Sequence, residues 1–158
     1  MCEDEQADVL KQFRTRVAEG SLEGIRVAYR IAGGMPADER IDEVLVVSGE
    51  NVATAQVFAG PRIGQEASTP LEQDQALTLL QQIGQTVDNL VPRSKARFVP
   101  DSVVGSVTLE VEGKRATYFF PVEEGKGLGR AAIPKLDATD VLGNLDQLLA
   151  QLLAKKGG

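Results

Sequence analysis

Histidine and tryptophan are absent from this 158-residue sequence, and cysteine occurs once. Without an imidazole there is no Ser-His-Asp triad, no histidine-ligated zinc and no imidazole pH switch. With Cys2 alone no intrachain disulfide can form, so the fold must rest on its core, which fits a reducing compartment. Cys2 stands beside Glu3, Asp4 and Glu5, which disfavour its thiolate, and it reads as incidental. No apolar run approaches the roughly eighteen residues that cross a bilayer. No basic stretch followed by an apolar one opens the chain, so the expectation is a cytoplasmic protein without a signal peptide.

What is present is ordinary for a soluble globular protein: 42% hydrophobic and 25% charged residues, which excludes disorder, collagen and a membrane span. A chain of this length buries roughly two-thirds of its unfolded surface, enough for one sizeable core. The formal charge of −6 repels a phosphate backbone. The densest basic cluster, Arg93-Ser94-Lys95-Ala96-Arg97, holds too few charges for a nucleic-acid footprint and reads as a solvated loop.

Periodicity divides the chain. Residues 4–18 predict a helix, with Ala7, Leu10, Phe13 and Val17 on one face and Lys11, Arg14 and Arg16 opposite; Asp4 can cap it and Gly20 stops it. Residues 24–32 alternate as a half-buried strand, Ile25, Val27, Tyr29 and Ile31 against Arg26, Ala28 and Arg30. A loop carrying Gly33, Gly34 and Pro36 follows. Two apolar runs, 41–47 and 52–58, form a hairpin. With Gly49-Glu50 as its turn, Val47 faces Val52, and Val44 and Val46 share a face with Ala53, Ala55 and Val57. Both faces are then fairly apolar, which calls for cover on each side.

Thr69-Pro70-Leu71-Glu72 has the form of a capping box with proline at the first helical position. It predicts a helix whose stripe runs from Leu71 through Ala76, Leu80, Ile83, Val87 and Leu90 to Val91, ended by Pro92. A second hairpin occupies 103–111 and 116–122. With Gly113-Lys114 as the turn, Glu112 faces Arg115, Leu109 faces Tyr118 and Val107 faces Phe120. After a charged, glycine-rich connection over 123–135, a last helix from about 138 to 154 is capped by Asp137, with Lys155-Lys156 at its negative end.

Motifs for chemistry are sparse. Gly125, Gly127 and Gly129 invite a phosphate-loop reading, but the stretch follows a hairpin, Pro134 opposes a helix opening after it, and the spacing is wrong for a dinucleotide fingerprint. Asp42-Glu43 and Glu123-Glu124 are adjacent carboxylates; neighbours on a strand point to opposite faces, so Asp42 and Glu43 are poorly placed to share a substrate. There is no Gly-x-Ser-x-Gly, no Ser-x-x-Lys and no calcium-loop spacing of acids.

The sequence therefore predicts a single α+β domain over 1–158: an antiparallel sheet of about five strands in the order α-β-β-β-α-β-β-α, with helices packed against it. The expected function is a non-enzymatic binding or assembly module that self-associates, as a homodimer, or binds a protein partner. No cofactor, metal, nucleic acid or membrane is expected. Leu142, Leu145, Leu149 and Leu152 line the last helix and are the candidate interface, against the alternative that this stripe simply covers the sheet. The competing function is a small anionic-ligand protein, or an enzyme using carboxylates and cations. Arg93, Lys95 and Arg97 before the second hairpin, with Lys126 and Arg130 after it, would gather around the anion.

Overall fold

A computed structural model describes residues 3–33, 41–59, 63–87, 90–92, 103–120, 122–123, 133–134, 145, 148–149 and 151–152. The central strand is β1 (Ile25–Gly33), flanked by β2 (Ile41–Ser48) and β6 (Val103–Val111), both antiparallel to it. Outside β2 lie β3 (Val52–Ala59) and the edge strand β4 (Glu66–Pro70); outside β6 lie β7 (Lys114–Phe120) and the two-residue β5 (Val91–Pro92). The sheet order is β4-β3-β2-β1-β6-β7-β5, so six full strands carry it. A separate two-residue ladder joins β8 (Val122–Glu123) to β9 (Ile133–Pro134).

The expected α+β class is the one observed, with helices on an antiparallel sheet. Strand alternation puts Ile25, Val27, Tyr29 and Ile31 of β1, Leu45 and Val47 of β2, Ala53, Ala55 and Val57 of β3, Val107, Leu109 and Val111 of β6, and Ala116, Tyr118 and Phe120 of β7 into one core. Helix α1 (Glu3–Glu19) adds Val9, Phe13 and Val17, and α2 (Gln73–Thr86) adds Ala76, Leu79, Leu80 and Ile83. Helical residues near the C-terminus complete the layer with Leu145, Leu149 and Leu152. The helices approach closely at Gly84, where an added Cβ would stand 3.3 Å from the Phe13 ring, and Arg14 Nε donates to the Gly84 carbonyl at 2.8 Å.

Three sequence expectations are corrected. The first hairpin turns through three residues, not two: Ser48 pairs with Val52 and Val47 with Ala53, and Asn51 is left-handed at φ 65. Gly49 is held against the neighbouring strand, its N–H donating to the Ile25 carbonyl at 2.8 Å. A one-residue displacement exchanges faces: Leu45 and Val47 now share the core side with Ala53, Ala55 and Val57, while Val44 and Val46 lie on the other side with Thr54 and Gln56.

The second hairpin turns at Glu112-Gly113, both left-handed (φ 50 and 85), so Leu109 pairs with Ala116 and Val107 with Tyr118. This is the two-residue turn with glycine second. The displacement from the expected register is two residues, and the faces are unchanged.

The capping box is the third. Thr69 and Pro70 belong to β4, paired with Ala53 and Val52, and Leu71 N–H donates to the Asn51 carbonyl at 2.7 Å. Ladder bonds to β3 hold the chain extended through Glu72, which caps α2 with no side-chain bond. The helix also ends earlier, at Thr86, because Val91 and Pro92 pair with Phe119 and Tyr118. Proline is tolerated there at the sheet margin.

Candidate functional site

All the described helical residues that join the core lie on one side of the sheet. No described helix covers the other side, and the even-numbered positions of β1 set its character: Arg26 and Arg30 are exposed around a half-buried Ala28. Strand register turns the face into three rows that cross the strands. The middle row reads Ser68, Thr54, Val46, Ala28, Thr108, Thr117. On one side of it lie Glu66, Gln56, Val44, Arg30, Ser106 and Phe119; on the other, Pro70, Val52, Ser48, Arg26, Glu110 and Arg115.

Small side chains in the middle and long ones at the flanks make a shallow trough of about 510 Å³ centred on β1 and its neighbours. Its floor hydroxyls are hydrogen-bonded in pairs, Thr108 with Thr117 at 3.0 Å and Thr54 with Ser68 at 3.2 Å. The flanks are built from ion pairs. Arg30 grips Asp42 with both ends of its fork, Nε to Oδ1 at 2.8 Å and Nη2 to Oδ2 at 2.6 Å, a geometry that lysine cannot reproduce. The hydrogen bond to Asp42, opposed by partial burial, raises the Arg30 pKa above its ordinary value. Across the trough Glu110 accepts from Arg115 Nε at 2.8 Å and stands 4.0 Å from Arg26 Nε. Glu43, one residue from Asp42, is buried and points to the core side with Ile31, so the two acids do occupy opposite faces as expected for strand neighbours.

Two other grooves run between helices, one between α1 and α2 beside Phe13 and Gly84, the other between α2 and Leu148 beside Asp74 and Gln82. Among the described residues, the large apolar side chains left exposed are Phe58 near the end of β3 and Ile63 in the turn before β4. No group of acids or cysteine with metal-ligand proximity occurs among the described residues. None of the described helices is long and apolar enough to cross a membrane.

Of the predicted site residues, Leu145, Leu149 and Leu152 are buried in the protomer's own core, which is the covering role weighed against an interface; Leu142 lies outside the described residues. Arg93, Lys95, Arg97, Lys126 and Arg130 also lie outside them. Sequence reasoning missed the open-face residues, although the signal was visible: two arginines at even positions of a strand whose odd positions are wholly apolar. The chain matches no protein-family model, no curated protein and no solved structure.

Proposed function

We propose that the protein is a binding and assembly module that docks a protein partner across the open face of its sheet. The observation that carries this is the asymmetry of the two faces. The described helices pack on one, whereas the other leaves Ala28, Val44, Val46 and Phe119 only partly covered between flanking ion pairs. Six strands of five to nine residues, about 4.8 Å apart, offer about 600 Å² of face, against the about 800 Å² that each partner of a standard complex buries.

The test is a photo-crosslinking amino acid placed at Ala28, compared with the same group at Gln81 on the exposed side of α2. The expected result is one discrete adduct of identifiable mass from position 28 alone, lost when Val46→Asp places a charge on the trough floor. An adduct of twice the protomer mass would identify the partner as a second copy. Equal adducts from both positions, or none from either, would refute the assignment.

A further inference from the structure

Among the described residues no strand lies beyond β4, and its bonds to β3 fix which of its backbone groups point outward. Leu71 N–H donates to the Asn51 carbonyl at 2.7 Å and Val57 N–H to the Gln65 carbonyl at 3.0 Å, so the odd-numbered residues of this stretch turn their backbone groups to β3. Glu66, Ser68 and Pro70 therefore turn theirs away from the sheet, and all three residues are exposed. The edge offers the N–H groups of Glu66 and Ser68 and the carbonyls of Glu66, Ser68 and Pro70, proline having no N–H. At its start Gly64, left-handed at φ 85, donates to the Val57 carbonyl at 3.0 Å and forms a bulge that ends the regular ladder. The exposed Phe58 and Ile63 adjoin this bulge.

We infer that β4 is a self-pairing edge, which takes β4 of a second copy of this chain as its antiparallel neighbour about a two-fold axis at Ser68. Donors and acceptors are self-complementary in that register. Ser68 exchanges both its bonds with Ser68 of the second copy, and Glu66 N–H meets the Pro70 carbonyl of the second copy, twice by symmetry. Every outward N–H then has an acceptor, and the donor that Pro70 lacks leaves only the Glu66 carbonyl to water. A shift of two residues either way sets Pro70 against the Gly64 bulge or against Ser68, losing overlap or bonds. Side chains fit as well: Ala67 lies opposite Thr69 of the second copy, and the two Glu66 carboxylates stay about 14 Å apart.

Glu66, Pro70 and the bulge confine pairing to the five residues of β4, and the opposite edge is the two-residue β5, so association closes at two copies rather than running on as a fibre. The axis stands normal to the sheet, which keeps the described helices of both copies on one side. The faces without described helices then join into about 1,200 Å², past the about 800 Å² that one protomer's face falls short of. That consequence alone rests on the docking role proposed above; the pairing does not.

A ladder this short buries less than a standard interface, so the pair should form at about 0.1–1 mM, within reach of sedimentation equilibrium on the full chain. Ser68→Pro removes an outward N–H and no bond to β3, and Ser68→Ala controls for the hydroxyl bond to Thr54. Expected are dimers for the parent and Ser68→Ala, and association at least about tenfold weaker for Ser68→Pro at an unchanged urea midpoint relative to Ser68→Ala. In the unaltered chain, exchange of the Glu66 and Ser68 amides should slow as concentration rises. In a Cys2→Ser background, Ser68→Cys should form a disulfide-linked dimer under mild oxidation, whereas Glu66→Cys should not, since its Cα atoms lie beyond the about 7 Å that a disulfide spans.

Ser68→Pro associating as tightly as Ser68→Ala would overturn the inference, as would Glu66→Cys crosslinking as readily as Ser68→Cys. So would Glu66 and Ser68 amides whose exchange does not change with concentration. Crosslinking from position 28 judges the docking face separately, because it needs none of the groups on this edge.

Discussion

Gly105→Ala puts the packing of the sheet's core side to a direct test. Gly105 lies on β6 opposite Phe120 of β7 and Ile31 of β1. A Cβ there would stand 2.1 Å from Phe120 Cε2 and 2.4 Å from Cζ, where ordinary contacts begin near 3.4 Å. The ring must retreat by more than about 1 Å. It has little room to do so, because it stacks on Tyr29 with centroids 5.7 Å apart and planes 18° apart. Tyr29 is 0% and Phe120 3% exposed.

Overpacking of a dense core costs about 1–3 kcal/mol and loss of an aromatic stack about 0.5–1.5 kcal/mol. Alanine returns about 0.5–1 kcal/mol through the less flexible unfolded chain. The expected net destabilisation is about 2 kcal/mol, read as a lower urea midpoint at unchanged slope. Phe120→Leu alone should also destabilise, but added to Gly105→Ala it should cost less than the separate effects predict, since the two changes relieve one clash. A Gly105→Ala protein within about 0.5 kcal/mol of the parent, or a strictly additive double mutant, would refute the packing assigned to this pair.

Gly49→Ala should be worse than Gly105→Ala, at about 3 kcal/mol or more by the same denaturation, because its Cβ would lie 1.8 Å from the Leu22 carbonyl oxygen and backbone yields less readily than a ring. Arg16→Ala should cost about 1–2 kcal/mol: its guanidinium donates to the Ser21 and Glu23 carbonyls and to Glu112 at 3.0 Å, tying α1 to the following turn and to the second hairpin. Arg16→Lys should recover less than half of that loss in thermal melts, because an ammonium lacks the fork geometry. Glu112→Asn should raise stability by about 0.5 kcal/mol: asparagine tolerates the φ of 50 at this turn, and Glu112 is itself 69% exposed in the ion pair that is lost.

Much of the architecture can be read from periodicity alone. β1, β6, β7 and α1 match their expected spans to within about two residues at each end, since each has a clean period and a side that must be buried. Errors arise where tertiary contacts outweigh local chemistry. The Thr69-Pro70-Leu71-Glu72 stretch is a good helix start in isolation, but ladder bonds to β3 claim it, and β4 itself went unread because five residues ending in proline carry little strand signal. Turn placement was lost to left-handed residues that are not glycine. Asn51 adds a third residue to one turn and Glu112 supplies the first position of the other.

The two register errors differ in consequence, and the difference bears on function. A two-residue displacement at the second hairpin moves partners but keeps every side chain on its face. The one-residue displacement at the first exchanges the faces, turning Val44 and Val46 from expected core-mates of Ala55 into part of the trough. An expectation of cover on both sides of the sheet came from that hairpin, whose two faces are similarly apolar. The deciding information lay one strand away. A central strand with arginine at both 26 and 30 cannot have helices sealing both its faces without burying two guanidiniums, which costs several kcal/mol per ion. Because β1 sits between β2 and β6, its exposed side sets the exposed side of the whole sheet. Among the described residues, the face without helices is therefore the one that carries the most polar positions of the most central strand.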